Sequence, residues 1–124
     1  MTPGSELMKL SELTVTLDAS FLTGEDQSDI VINKAGASDL MSDVLAALSE
    51  SGVLLTGLTT NRAVKTAVIS GISAIVFVRN KEPDPEIIAL ARMHGIPLLS
   101  TPCSMFVSCG RLYAKGLTGL SGSR

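Results

Sequence analysis

Between Ser51 and Leu117 the chain repeats one unit. A short apolar run stops at polar or glycine residues and passes into an amphipathic helix that ends at glycine. Val53-Leu54-Leu55-Thr56 leads to a helix ending near Gly71. Ala74-Ile75-Val76-Phe77-Val78 leads to one ending at Gly95. Ile96-Pro97-Leu98-Leu99 leads to one ending near Gly116. Strands alternating with helices predict a parallel α/β domain. The strand segments are apolar throughout, as a sheet covered on both faces requires. The expected architecture is three-layer α/β: a mostly parallel sheet between helices.

Upstream the pattern is less regular. Leu7, Leu10 and Leu13 predict a short helix or a turn, and Thr14-Val15-Thr16-Leu17 alternates like a half-buried strand. Thr23 to Ser28 reads as a turn, Asp29 to Asn33 as a strand, and Lys34 to Ala37 as a flexible connection. Ser38 or Asp39 then caps a helix with Met41, Val44, Leu45 and Leu48 on one stripe, ended by Gly52. Thr59 or Thr60 caps the next helix, which carries Val64, Ala67 and Val68. Asp84-Pro85-Glu86 combines a cap, a proline at the first position and a first-turn acid. Thr101-Pro102 repeats that start, and Phe106, Gly110 and Tyr113 follow on the last helix, where a small residue permits close approach to a sheet or partner helix.

With 124 residues the chain is sized for one domain. The expected bounds are residues 8–117, with flexible tails at 1–7 and 118–124. A content of 45% apolar and 18% charged residues gives an aliphatic core with apolar surface to spare, which favours a homo-oligomer; a homodimer is the expected state. A net charge of -2 gives no reason to expect nucleic acid or an anionic membrane. The start shows no signal-peptide pattern and no apolar run approaches a membrane span, so a cytoplasmic protein is expected. Cys103 and Cys109 stand six apart and face different sides of a helix, a poor metal pair.

If the strands are parallel, their carboxyl ends place four connections on one edge, where such folds hold ligands. The candidate binding residues are Ser38, Asp39, Thr59, Thr60, Asn61, Arg62, Arg79, Lys81, Ser100 and Thr101. Helix N-termini, hydroxyls and the cations Arg79 and Lys81 together suit a small anion. Catalytic signatures are missing: no GxxxxGK[ST], no dinucleotide glycine spacing and no GxSxG. His94, the one histidine, precedes Gly95 and offsets a helix dipole there. No catalytic residue, metal or cofactor is expected. An enzyme would have to rest on Cys103, His94 and the strand-end hydroxyls.

Glu82-Pro83-Asp84-Pro85-Glu86, followed by Gly95-Ile96-Pro97-Leu98-Leu99-Ser100-Thr101-Pro102, resembles the DRTGG domain family, which is similar to the amino-terminal domain of HPr kinase/phosphorylase. Ser38-Asp39-Leu40-Met41-Ser42-Asp43-Val44 resembles the stand-alone members, often encoded beside iron-only hydrogenase subunits and signalling proteins. Where the naming motif would fall, this chain has Asn61-Arg62 at a helix start and Val78-Arg79-Asn80 after the next strand. Arg62 is the strict match. The resemblance implies a mostly parallel sheet with helices on both faces and a regulatory or accessory role without kinase chemistry. The expected function is a sensory module binding a small anionic metabolite or nucleotide. The alternative is a ligand-free interaction protein of a redox or signalling complex.

Overall fold

A computed structural model describes residues 7–47 and 52–120. Strands β1 (Met8–Lys9) and β3 (Val31–Ile32) pair antiparallel as a small ribbon. The main sheet has the order β2-β7-β6-β5-β4-β8. Its strands are β2 (Ser20–Thr23), β4 (Lys34–Ala37), β5 (Gly52–Thr56), β6 (Ala74–Phe77), β7 (Leu98–Ser100) and β8 (Thr118–Gly119). All neighbours run parallel except β2, which pairs antiparallel with β7 at one edge.

The expected layers are present. Helices α2 (Met41–Ala46), α3 (Asn61–Ser70) and α4 (Pro85–Met93) share one core with Leu54, Ile75, Phe77 and Leu98. Helices α1 (Leu10–Leu17) and α5 (Met105–Ala114) share the other with Val53, Leu55, Val76 and Leu99. Alternate residues of each strand thus enter opposite cores, so β5 and β6 are buried along their whole length. Gly71 and Gly95, with φ of 74° and 69°, adopt the left-handed conformation after α3 and α4.

Several expectations change. Thr14 to Leu17 is helical, because Leu10, Leu13 and Leu17 lie on one fully buried stripe while Val15 is 83% exposed. Burial at helical spacing overrides the local strand preference. Lys34 to Ala37 is a sheet strand instead of a connection, flanked by β5 and β8. The strand expected over Asp29 to Asn33 shortens to β3. Gly52 opens β5 and does not end α2, which stops at Ala46. Residues 118–120, expected in the tail, form β8 and the buried Leu120. Leu48 and the chain ends at 1–6 and 121–124 lie outside the described residues. Among the described residues no helix is long and apolar enough to cross a membrane.

Candidate functional site at the carboxyl edge of the sheet

Strands β4 to β7 are parallel, so their carboxyl ends meet at one edge. The first three lead to α2, α3 and α4 on one face, and β7 leads to α5 on the other. The exit direction therefore reverses between β6 and β7, where open α/β sheets form their ligand crevice. Here that crevice is stitched shut. The Arg79 N–H donates to the Cys103 carbonyl at 2.9 Å and the Asn80 N–H to the Thr101 carbonyl at 2.8 Å. The Ser100 hydroxyl donates to the Lys81 carbonyl at 3.1 Å. Arg79 and Asn80 adopt left-handed φ values of 56° and 58°, an unusual conformation for non-glycine residues that these bonds hold in place. Their backbones are locked while their side chains remain exposed.

Thr101 is fully buried. Its hydroxyl donates to the Leu17 carbonyl at the end of α1 and accepts from the Cys103 N–H at 3.1 Å. It caps no helix: α5 starts later, at Met105, and Ser104 accepts from the Val107 N–H. Ser100 and Thr101 therefore serve the fold, and both are withdrawn from the exposed edge.

The open part of the edge lies over β4, β5 and β6. Asp39 is exposed, and its Oδ1 accepts from the Gly57 N–H at 2.7 Å and the Thr56 hydroxyl at 3.0 Å. The Thr56 oxygen in turn accepts from the Leu58 N–H. Lys81 Nζ donates to the Gly57 carbonyl at 3.4 Å. The Gly57 N–H holds the Asp39 carboxyl below the ordinary aspartate value; partial burial opposes it, and the Thr56 hydroxyl, Lys81 and Arg79 add to the lowering. Asp39 is thus an ionised acceptor that fixes the β5–α3 loop, instead of a helix cap. The Ser38 hydroxyl accepts from the Leu40 N–H in a local turn. Gly57 is bracketed: a Cβ there would lie 3.4 Å from Lys81 Nζ and 3.5 Å from the Asp39 carboxylate.

Helix α3 points its amino end at this loop. Thr60 stands at the cap position but makes no side-chain cap bond, and no acid occupies the first turn. The Ala63 N–H donates to the Thr60 carbonyl at 3.2 Å, which leaves the amides of Asn61 and Arg62, both exposed residues, at the uncapped end of the helix. Thr59 is half-buried next to them. The fold thus brings Thr59, Thr60, Asn61, Arg62, Arg79 and Lys81 to one open edge with Asp39 among them.

The family model of the DRTGG domain matches residues 12–113. The chain belongs to the DRTGG domain family. No curated protein matches it. Among solved structures it is similar to the CBS and DRTGG domains of the regulatory region of Clostridium perfringens pyrophosphatase, complexed with the activator diadenosine tetraphosphate. The TM-score is 0.67 at 20% identity, over 86% of this chain and 46% of that one. The chain thus spans less than half of that regulatory region.

His94 precedes β7 and Cys103 follows it, so the strand lies between them. Burial pushes the Cys109 thiol above its ordinary value, away from the reactive thiolate. Among the described residues no group of three His, Cys, Asp or Glu side chains could hold a metal ion.

Two features escaped the sequence reading. One is Thr56 with Gly57, whose only sequence signal is a threonine and glycine closing an apolar strand. The other is an open apolar groove of about 470 Å³ between α5 and the β4–β8 edge, floored by Ala35, Ala37 and Leu55 and walled by Phe106, Cys109 and Tyr113. The stripe Phe106, Gly110 and Tyr113 looks outward along it: Phe106 is 87% exposed and Tyr113 53%.

Proposed function

We propose that this chain is a non-catalytic regulatory module that takes a small anionic metabolite or nucleotide at the carboxyl edge of its sheet, over β4, β5 and β6. The observation that carries this reading is the open amino end of α3, with Arg62, Arg79 and Lys81 at the same edge and a side-chain-free Gly57 between them. Free amides and cations together complement phosphate or carboxylate. Asp39 suits a sugar hydroxyl, which can donate to the carboxylate, and so favours a nucleotide over a bare anion. The likeness to a regulatory region that binds a nucleotide activator supports the same class.

A thermal-shift titration with AMP, ATP, acetyl phosphate and diadenosine tetraphosphate tests it. A ligand at a hundred times its dissociation constant adds about 2.7 kcal/mol to stability. The expected result is stabilisation by a phosphate-bearing compound, lost in Arg79→Ala and Lys81→Ala. The absence of stabilisation by all four at millimolar concentration overturns the reading. A second reading, a ligand-free docking protein of a redox or signalling complex, draws on the groove beside α5.

A further inference from the structure

We infer that a cavity at the opposite, amino edge of the sheet is a second ligand site, and that it takes a free α-amino acid with an uncharged side chain. This goes beyond the ligand reading above and stands without it. Thr23 ends β2 and pairs with Leu98, which opens β7, so this corner lies at the start of the parallel strands. There the turn after β2 and the turn between α4 and β7 form a cavity of about 350 Å³, walled by Thr23, Glu25, Asp26, Gln27, Arg92 and Ile96. Cavities of this size hold small molecules.

The charges on its walls are unspent. Among the described residues the ion pair joins Lys9 to Asp29, and Glu25, Asp26 and Arg92 take part in none. The Arg92 Nε donates to the Thr23 hydroxyl oxygen at 3.2 Å, which draws the guanidinium from α4 toward the end of β2. Among the described residues its two terminal nitrogens donate to no acceptor. Thr23 is 3% exposed, and among the described residues its own hydroxyl proton has no acceptor either. A buried donor without a partner is costly, and a guanidinium with free N–H groups is a fork shaped for a carboxylate. One ligand carboxylate answers both Arg92 and Thr23.

Glu25 and Asp26 are exposed on the same walls, and ionised carboxylates only accept. They call for an ammonium group. A simple anion would meet the two acids, and a simple cation would meet the arginine. A compound carrying carboxylate and ammonium on adjacent atoms suits both halves, and that is an α-amino acid. Ile96, half-buried on the same wall, offers an apolar contact to its side chain. Two acids face one arginine, so an acidic side chain is disfavoured.

The walls are tied to each other. The Gln27 N–H donates to the Gly24 carbonyl at 2.8 Å, and its Nε2 donates to the Gly95 carbonyl at 3.1 Å. Gly24 lies so close on Pro97 that a Cβ there would stand 2.7 Å from the Pro97 Cα. The two turns are thus joined directly, and binding between them needs little ordering.

Isothermal titration calorimetry of the full chain with alanine, leucine and glutamate, each to about 10 mM, tests this in the range of weak metabolite binding. Alanine or leucine should give saturable heat, and glutamate less. The methyl ester of the tighter one lacks the carboxylate charge and its N-acetyl form lacks the ammonium, so each should bind about tenfold more weakly or worse. Arg92→Gln should weaken binding about tenfold to a hundredfold, and Glu25→Gln should weaken it too, with circular dichroism unchanged because both residues are exposed. Arg79→Ala, at the carboxyl edge, should leave it unaltered, which separates this site from the anion site proposed there. No saturable heat from alanine or leucine, tightest binding by glutamate, an ester or acetyl form that binds as well as the free amino acid, or normal binding by Arg92→Gln overturns the proposal.

Discussion

Replacing Thr101 with valine separates shape from hydrogen bonding at the stitched crevice. The side chains are nearly isosteric, so packing is preserved. Two bonds are lost: the one to the Leu17 carbonyl and the one from the Cys103 N–H. Each buried group left without a partner costs about 1–3 kcal/mol. The Cys103 thiol, 3.5 Å from the Leu17 carbonyl, retains a weak contact there and softens that side. Thr101→Val should therefore destabilise by about 2–4 kcal/mol. Thr101→Ser keeps the hydroxyl and loses one buried methyl, for about 1 kcal/mol. In urea, with a slope of about 1–3 kcal/mol per molar, valine should lower the midpoint by about 1–2 M and serine by clearly less. If serine destabilises as much as valine or more, the hydroxyl is not what holds this junction, and the account of Thr101 as the tie between α1 and the β7–α5 loop fails.

Gly95→Ala should cost about 1 kcal/mol through φ strain alone, because φ is 69° and a Cβ there meets nothing within 4 Å; an unchanged denaturant midpoint would show that the strain is absent. Gly24→Ala should cost clearly more, because φ is 87° and the new Cβ would stand 2.7 Å from the Pro97 Cα; equal losses in a paired denaturation experiment would refute this. Asp39 has a lowered folded pKa, so its contribution to stability is present above the unfolded value of about 3.9 and is lost as pH falls through the lower folded value. Asp39→Asn keeps an acceptor for Gly57 but lacks this term, so the stability advantage of wild type over the variant should shrink in thermal melts taken from about pH 6 to pH 2.5. Parallel profiles would exclude Asp39 as the source.

The three late units were legible because β5, β6 and β7 are buried on both faces and hence apolar without interruption, and because Gly71 and Gly95 mark the helix ends in a conformation that other residues avoid. The early part was not. Thr14 to Leu17 carries strand residues in a helix, and only the burial of Leu10, Leu13 and Leu17 decides between them. Strand β4, Lys-Ala-Gly-Ala, has no apolar signature, because Leu120 crosses so close over Gly36 that a Cβ would overlap its side chain. The composition of that strand answers to a residue 84 positions away. At the site, parallel strands sufficed to place Thr60, Arg62, Arg79 and Lys81 at one edge. Which hydroxyls remain open depended on backbone bonds between the Arg79 and Thr101 loops, and side-chain identity carries no trace of those.

The left-handed pair Arg79-Asn80 presents its side chains to solvent while its amides are held inside. Ligand-binding loops are usually the softest parts of a fold and become ordered only on binding. On the proposed reading this segment would be set before a ligand arrived. Little ordering entropy is then charged against affinity. A bound anion would neutralise Arg79 and Lys81 more than it would move them. Occupancy would be displayed to a partner as a change in surface potential, so the device resembles an electrode more than a hinge.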